Sequence, residues 1–204
     1  MKKPTGRLAV AALTAAATLA LTAVPASAVP STTWTVTPSG GFTAVNRGNV
    51  SLFLGGIALT CAKSTASGQT QNATGNPAAI AVITGLSFGS CTSVLGPVSM
   101  TPALPWTVVA LDHTAATGVT KGYVGNVDAN VSVGACTFRV TGRASSTYTN
   151  STGLFSVNSA AGELTVVSSS GCGTVAPVGA KPTFKGDYLV NSGGTPPIVV
   201  GTNP

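Results

Sequence analysis

The sequence predicts an all-β protein, an antiparallel β-sandwich or barrel. Three observations predict it. Apolar and hydroxyl residues alternate, as in Trp34-Thr35-Val36-Thr37 and Thr137-Phe138-Arg139-Val140-Thr141. A strand with one face in a core and the other in water needs that period of two. Gly, Asn, Ser and Pro interrupt these runs about every 8–12 residues, the spacing of short antiparallel strands. Charge is scarce: 7% of the 204 residues are Asp, Glu, Lys or Arg, against about 25% in an ordinary soluble domain. Such a composition excludes a Lys/Glu/Leu-rich helical bundle and a charge-driven disordered tail.

The first element is not part of the fold. Lys2, Lys3 and Arg7 precede an Ala/Leu/Val run over 8–24, which Pro25 ends, and Ala26-Ser27-Ala28 follows. A basic start, an apolar stretch and small residues at a cleavage point make a secretory signal peptide. Residues 1–28 are therefore expected to be removed after Ala28. What remains is a domain over 29–192, with candidate halves 29–115 and 116–192, and a Gly/Pro-rich tail over 193–204. The net charge of +6 falls to +3 without the leader, because seven basic residues then face four acids. No Lys/Arg cluster is large enough to neutralise many phosphates, so nucleic acid is not an expected partner. After cleavage no stretch is long enough to span a bilayer as a helix.

The strand signals follow in order. Alternating runs occupy 34–37, 42–45 and 50–54, and an apolar run occupies 80–88. A Pro-led run at 105–109 comes next. Further runs lie at 118–124, 131–133, 137–141, 154–157, 164–167 and 188–190. Turn residues separate them, including Ser39-Gly40-Gly41, Gly55-Gly56, Gly75-Asn76-Pro77 and Ala161-Gly162. The pattern amounts to roughly ten to thirteen strands. With few lysines to guard strand edges, such a chain has a physical motive to pair with itself unless closure removes the edges.

The cysteines are Cys61, Cys91, Cys136 and Cys172. An even number in an exported chain implies disulfides, and four allow three pairings. A weak internal repeat favours one of them. Gly48-Asn49-Val50 precedes Cys61, and Gly125-Asn126-Val127 precedes Cys136. The second cysteine of each half follows a strand-like run and precedes a turn with Val and Pro. The expectation is two quasi-repeated halves, each closing its own bond, Cys61–Cys91 and Cys136–Cys172. A zinc site is not expected, since no C-x-x-C spacing occurs and His113 is the sole histidine. No cofactor is expected.

Catalytic signals are thin. Gly85-Leu86-Ser87-Phe88-Gly89 fits the G-x-S-x-G elbow, but that motif needs a helix after its serine. Here Cys91, Gly96 and Pro97 follow. His113 sits directly after Asp112, a neighbour poorly placed to orient it. The four acids are far apart in sequence, with Asp112 and Asp128 the pair geometry leaves open. A two-carboxylate glycosidase is therefore disfavoured. Binding offers more material: Trp34, Trp106, Tyr123, Tyr148 and Tyr188 could stack on apolar sugar faces, or pack in the core.

Residues 39–109 carry a family likeness. Its elements are Ser39-Gly40-Gly41-Phe42-Thr43-Ala44, then Gly55-Gly56-Ile57-Ala58-Leu59-Thr60-Cys61. Leu86-Ser87-Phe88-Gly89-Ser90-Cys91 and Leu104-Pro105-Trp106 follow. Together they resemble the secreted alkane-oxidation activator (PraB-type) proteins. The leader and the Ala/Thr/Gly/Val-rich body also resemble small secreted all-β proteins of actinobacteria such as Streptomyces. The resemblance implies an extracellular, non-catalytic surface protein and carries over no active-site residue.

The reading is thus a secreted, disulfide-stabilised, non-catalytic protein with a structural or interaction role at the cell surface or in the extracellular matrix. Its partner would be itself or a cell-wall polysaccharide. The alternative is a carbohydrate- or cell-wall-binding module using exposed aromatics, and a secreted hydrolase comes third.

Overall fold

The computed structural model describes residues 30–202; the expected leader and its cleavage point lie outside the described residues. Among these the chain forms fourteen strands and no helix. They are β1 (Thr33–Thr37), β2 (Gly40–Asn46), β3 (Val50–Leu54), β4 (Ile57–Thr70), β5 (Ala73–Thr74), β6 (Ala78–Ser93) and β7 (Gly96–Pro102). After them come β8 (Trp106–Thr114), β9 (Val119–Val133), β10 (Cys136–Thr149), β11 (Leu154–Asn158), β12 (Leu164–Ser170), β13 (Thr183–Asn191) and β14 (Ile198–Thr202).

Eleven strands make one antiparallel sheet, and it closes on itself. Around one end the pairing runs β2–β4–β6–β8–β9–β10–β11–β13 and returns to β2. The four long strands, β4, β6, β9 and β10, have 14 to 16 residues each. Short strands share the gaps between them. β3 continues where β2 stops along β4, β7 takes over from β8 along β9, and β12 takes over from β11 along β10. The sequence left sandwich and barrel open; the ring is a barrel. Closure also removes most of the exposed edges that would otherwise invite pairing with another copy.

The long strands keep pairing through irregularities. Register shifts fall between Ser67 and Gly68 against β6, and between Gly142 and Ala144 against β9. A bulge adds a residue to one strand and bends it, which a barrel wall needs. Gly142 shows why one such position is glycine. Its φ is +142°, and a Cβ there would stand 2.1 Å from the Glu163 carbonyl oxygen. The runs read separately at 118–124 and 131–133 are one strand for the same reason: the chain bends at Asn126 (φ 56°) without leaving the sheet.

Both disulfides form in the expected pairing. Cys61 and Cys91 face each other on β4 and β6, with Cα atoms 3.9 Å apart. Cys136, at the start of β10, joins Cys172, just beyond the end of β12, across 4.3 Å. Each bond staples neighbouring stretches at the same end of the barrel.

The opposite end is covered by a small sheet of order β14–β1–β5. Part of the Gly/Pro-rich tail is therefore a strand, with Val199 opposite Val36 and Gly201 opposite Trp34. Side chains hold this cap to the ring. Asn150 grips β14 like a neighbouring strand: its Nδ2 donates to the Val199 carbonyl at 2.8 Å and its Oδ1 accepts from the Val199 amide at 2.9 Å. Asn72 Oδ1 accepts from the Val36 amide at 2.9 Å. Two buried clusters result: a main one inside the ring and a smaller one, with Trp34, Val36, Tyr148 and Val199, beneath the cap.

Candidate functional site

The barrel interior is built from the inward residues of every wall strand. Many of these are small. Ala44 on β2 stands opposite Ala66 on β4. A second row crosses Ala81, Val108, Val124 and Ala144 on β6, β8, β9 and β10. Eight-stranded barrels are just wide enough for large side chains to fill them or for one small ligand to enter. With alanine at these positions the side chains do not meet, and a cavity of about 150 Å³ remains. It is elongated along the barrel: Val36 and Val199 border it under the cap, and Leu52, Met100 and Leu164 border it toward the disulfides.

The few polar side chains on its border are already engaged. The Tyr148 hydroxyl donates to the Pro197 carbonyl at 2.5 Å, and Trp106 Nε1 donates to the Ala103 carbonyl at 2.9 Å. Thr70 Oγ1 donates to the Gly40 carbonyl and accepts from the Gly40 amide, both at 3.1 Å. The Tyr188 hydroxyl lies 3.0 Å from Ser64 Oγ, which donates to the Ser87 carbonyl at 2.9 Å. Among the described residues no buried side-chain nitrogen or oxygen lacks a partner. Burial pushes both Tyr148 and Tyr188 up to about 12, although the Ser64 contact pulls Tyr188 slightly back. Both are neutral phenols over the whole physiological range.

The other predicted residues lie in several places. Trp34, Trp106, Tyr148 and Tyr188 are buried. Tyr123 is half-buried, with the Arg143 guanidinium 5.2 Å from its ring centroid. The five do not share an exposed row. Ser87 is exposed on β6, its hydroxyl 2.8 Å from Thr65 Oγ1. His113 lies on β8, with Nδ1 2.9 Å from Thr120 Oγ1; burial lowers its pKa, partly offset by Asp112, so it is neutral at pH 7. Ala78 pairs with Ala110, and Ser87 and His113 diverge from that point in opposite directions. On the order of 30–40 Å of strand separates them. Asp112 pairs with Lys121 across the ladder, while Asp128 binds Arg139 by two hydrogen bonds, at 2.8 and 2.5 Å. That hydrogen bonding holds the Asp128 carboxyl below the usual range.

Two features lie outside the predicted site residues. One is a wall of hydroxyls, the wet face that the apolar/hydroxyl alternation implies. Ser99, Ser132, Thr137 and Ser170 form one outward row across β7, β9, β10 and β12, and Thr101, Asn130, Arg139 and Ser168 form the next. All of them but Arg139 line a shallow groove. The signal was present as Ser/Thr alternation but needed the register to become a surface.

The other is Glu163, which ties the β11–β12 turn to the bulge in β10. Its Oε2 accepts from the Ser145 and Ala160 amides, both at 2.8 Å, and its Oε1 accepts from the Ser145 hydroxyl at 2.6 Å. Burial would raise this carboxyl; the hydrogen bonds, with Arg143 nearby, outweigh it and hold the pKa below normal. Its folded value is lower than the unfolded value of about 4.3. Its stabilisation is therefore complete above that pH and fades as pH falls through the folded value. Glu163→Gln keeps one acceptor oxygen of two, so it should lose about 1–3 kcal/mol at neutral pH. The loss should shrink in acid. Urea unfolding of both proteins at pH 7 and pH 3 checks this; a pH-independent difference would show that the charge is immaterial.

A family model described as alkane oxidation protein activator, PraA/PraB-like, matches residues 3–188. It extends well past the segment 39–109 that carries the likeness in the sequence and takes in all strands from β1 to β12 and most of β13. No curated protein and no solved structure matches the chain.

Proposed function

The chain belongs to the PraA/PraB-like family of alkane oxidation protein activators, and on that premise we propose that it is a secreted, non-catalytic accessory protein. It acts at or outside the cell surface, in an interaction role that promotes alkane oxidation without performing it. One observation carries the reading: the interior of the barrel is bordered by apolar groups and by polar groups already spoken for. General acid–base or nucleophilic catalysis needs a proton-transferring group within reach of a substrate. Among the described residues no charged side chain borders the interior, its two phenols, Tyr148 and Tyr188, are held protonated, and Asp128 and Glu163 are committed to structural bonds elsewhere. The two disulfides support an oxidising compartment, where such bonds persist.

The test has two parts. Fractionation of cells producing the protein should place it in the medium or on the surface, with an N-terminus at Val29. Purified protein added to cells oxidising an n-alkane should raise the oxidation rate, and Ser87→Ala and His113→Ala should match the unsubstituted chain. Retention in the cytoplasm with the leader intact would overturn the secreted reading. Loss of the stimulation in either variant would overturn the non-catalytic one.

A further inference from the structure

We infer that the cavity inside the barrel is a binding site for a short saturated hydrocarbon, and that the protein takes up this ligand whole, with no polar end held at the rim. The inference deepens the activator reading by naming what the interior contacts, but the binding itself stands or falls separately.

Size comes first. An apolar cavity of about 150 Å³ stays dry and accepts a guest such as benzene or xenon. The cavity here has that volume, so a chain of about six carbons is the right scale. Shape comes second. The border runs from Val36 and Val199 under the cap to Leu52 and Leu164 near the disulfides, which suits an extended chain better than a ring.

Chemistry decides the class. A fatty acid or alcohol brings a head group that must be hydrogen-bonded once buried, or pay heavily for lost water. The hydroxyls of Thr70, Tyr148 and Tyr188 and the indole nitrogen of Trp106 are the side-chain polar atoms on the border, and each has a partner within the protein. The wall's backbone groups are used in the barrel's ladders. A head group would therefore displace an existing bond, while a saturated chain displaces nothing. A hydrocarbon is also the compound class in the family's description.

The alanines supply a direct test. Ala66 and Ala144 border the cavity from opposite parts of the ring. Residues 29–204 contain every strand of the described residues and are the chain to use. Depletion of n-hexane vapour over a solution of this protein should saturate at one hexane per chain. 1-Hexanol and hexanoate at neutral pH should bind at least about tenfold more weakly. Ala144→Leu should weaken hexane by about tenfold or more while leaving the thermal midpoint unchanged or higher, as cavity-filling substitutions commonly do. Should that variant misfold, Ala66→Val makes the same test with a smaller addition.

Hexane binding unchanged in both variants would place the site on the outer wall and sink the inference. So would hexanoate binding as well as hexane, or no hexane uptake at all. If hexane binds as expected but the protein fails to stimulate alkane oxidation, the activator reading falls and the site remains. If stimulation survives in a cavity-filled variant that no longer binds hexane, the activator reading remains and the cavity has no part in it.

Discussion

Replacing Cys61 and Cys91 together by alanine should lower the stability by roughly 3.5–4 kcal/mol, and Cys136 with Cys172 by a similar amount. The size follows from loop closure. The bonds close loops with sequence separations of 30 and 36 residues, and chain-entropy estimates for loops of that length fall at about 3.5–4 kcal/mol each. Both together approach the whole stability of a typical domain, about 5–15 kcal/mol. The four-alanine chain should thus be unfolded or barely folded at 37 °C. Position adds to the effect. Cys61 is fully buried and the other three cysteines nearly so, all in the main core cluster, so the substitutions also remove packed sulfur. Urea denaturation of each double variant, followed by tyrosine and tryptophan fluorescence, measures the loss. A change under about 1 kcal/mol for either pair would mean that the barrel ladders alone define that end of the fold. The expected result also bears on compartment: a chain that leans this heavily on two bonds needs an oxidising environment in which to fold.

The disulfide pairing was legible because the repeat put each cysteine in a comparable setting. The strands were legible wherever their inward residues are large, as in β3, with Val50, Leu52 and Leu54, or β1, with Trp34 and Val36. β4 was not read as a strand. The inward positions of its second half are Ser64, Ala66, Gly68 and Thr70, too small or polar for a clear alternation. The second half of β10 failed similarly, since Ala144 and Ser146 face inward there before Tyr148. Small inward residues weaken the period-two signal and, in the folded ring, leave space. The same residues that hid two strand segments from a reading of the sequence make the cavity. Barrel closure was hidden for another reason: it depends on β13 returning to β2, a pairing that joins Tyr188 to Asn46 and Asn191 to Thr43 across most of the chain, and no local pattern encodes it.

Trp34→Ala should remove about 3–5 kcal/mol from the cap, the range for truncating a buried tryptophan, and should do so locally. Trp34 is 1% exposed and is the largest side chain in the cluster under the cap. Its indole nitrogen donates to the Gly75 carbonyl at 3.1 Å, which ties β1 to the turn before β6. Gly201 on β14 has no side chain because the indole lies against it; a Cβ there would stand 2.7 Å from the ring. Without the indole, β1 and β14 keep their mutual ladder and the Asn72 and Asn150 bonds but lose most of the buried area that presses them onto the ring. Elements with few buried contacts open below the global unfolding free energy. Hydrogen exchange should therefore accelerate at Val36 and Val199 while the amides of β9 and β10 stay protected. The same change reaches the ligand site, since Val36 and Val199 border one end of the cavity. A loosened cap should speed hexane uptake and release by a similar factor, with a smaller effect on its equilibrium affinity, because the alanine-lined middle of the barrel is untouched. Uniform loss of protection around the ring would instead make the cap an integral part of one cooperative unit. Faster exchange at the cap with unchanged hexane kinetics would mean that the ligand enters elsewhere.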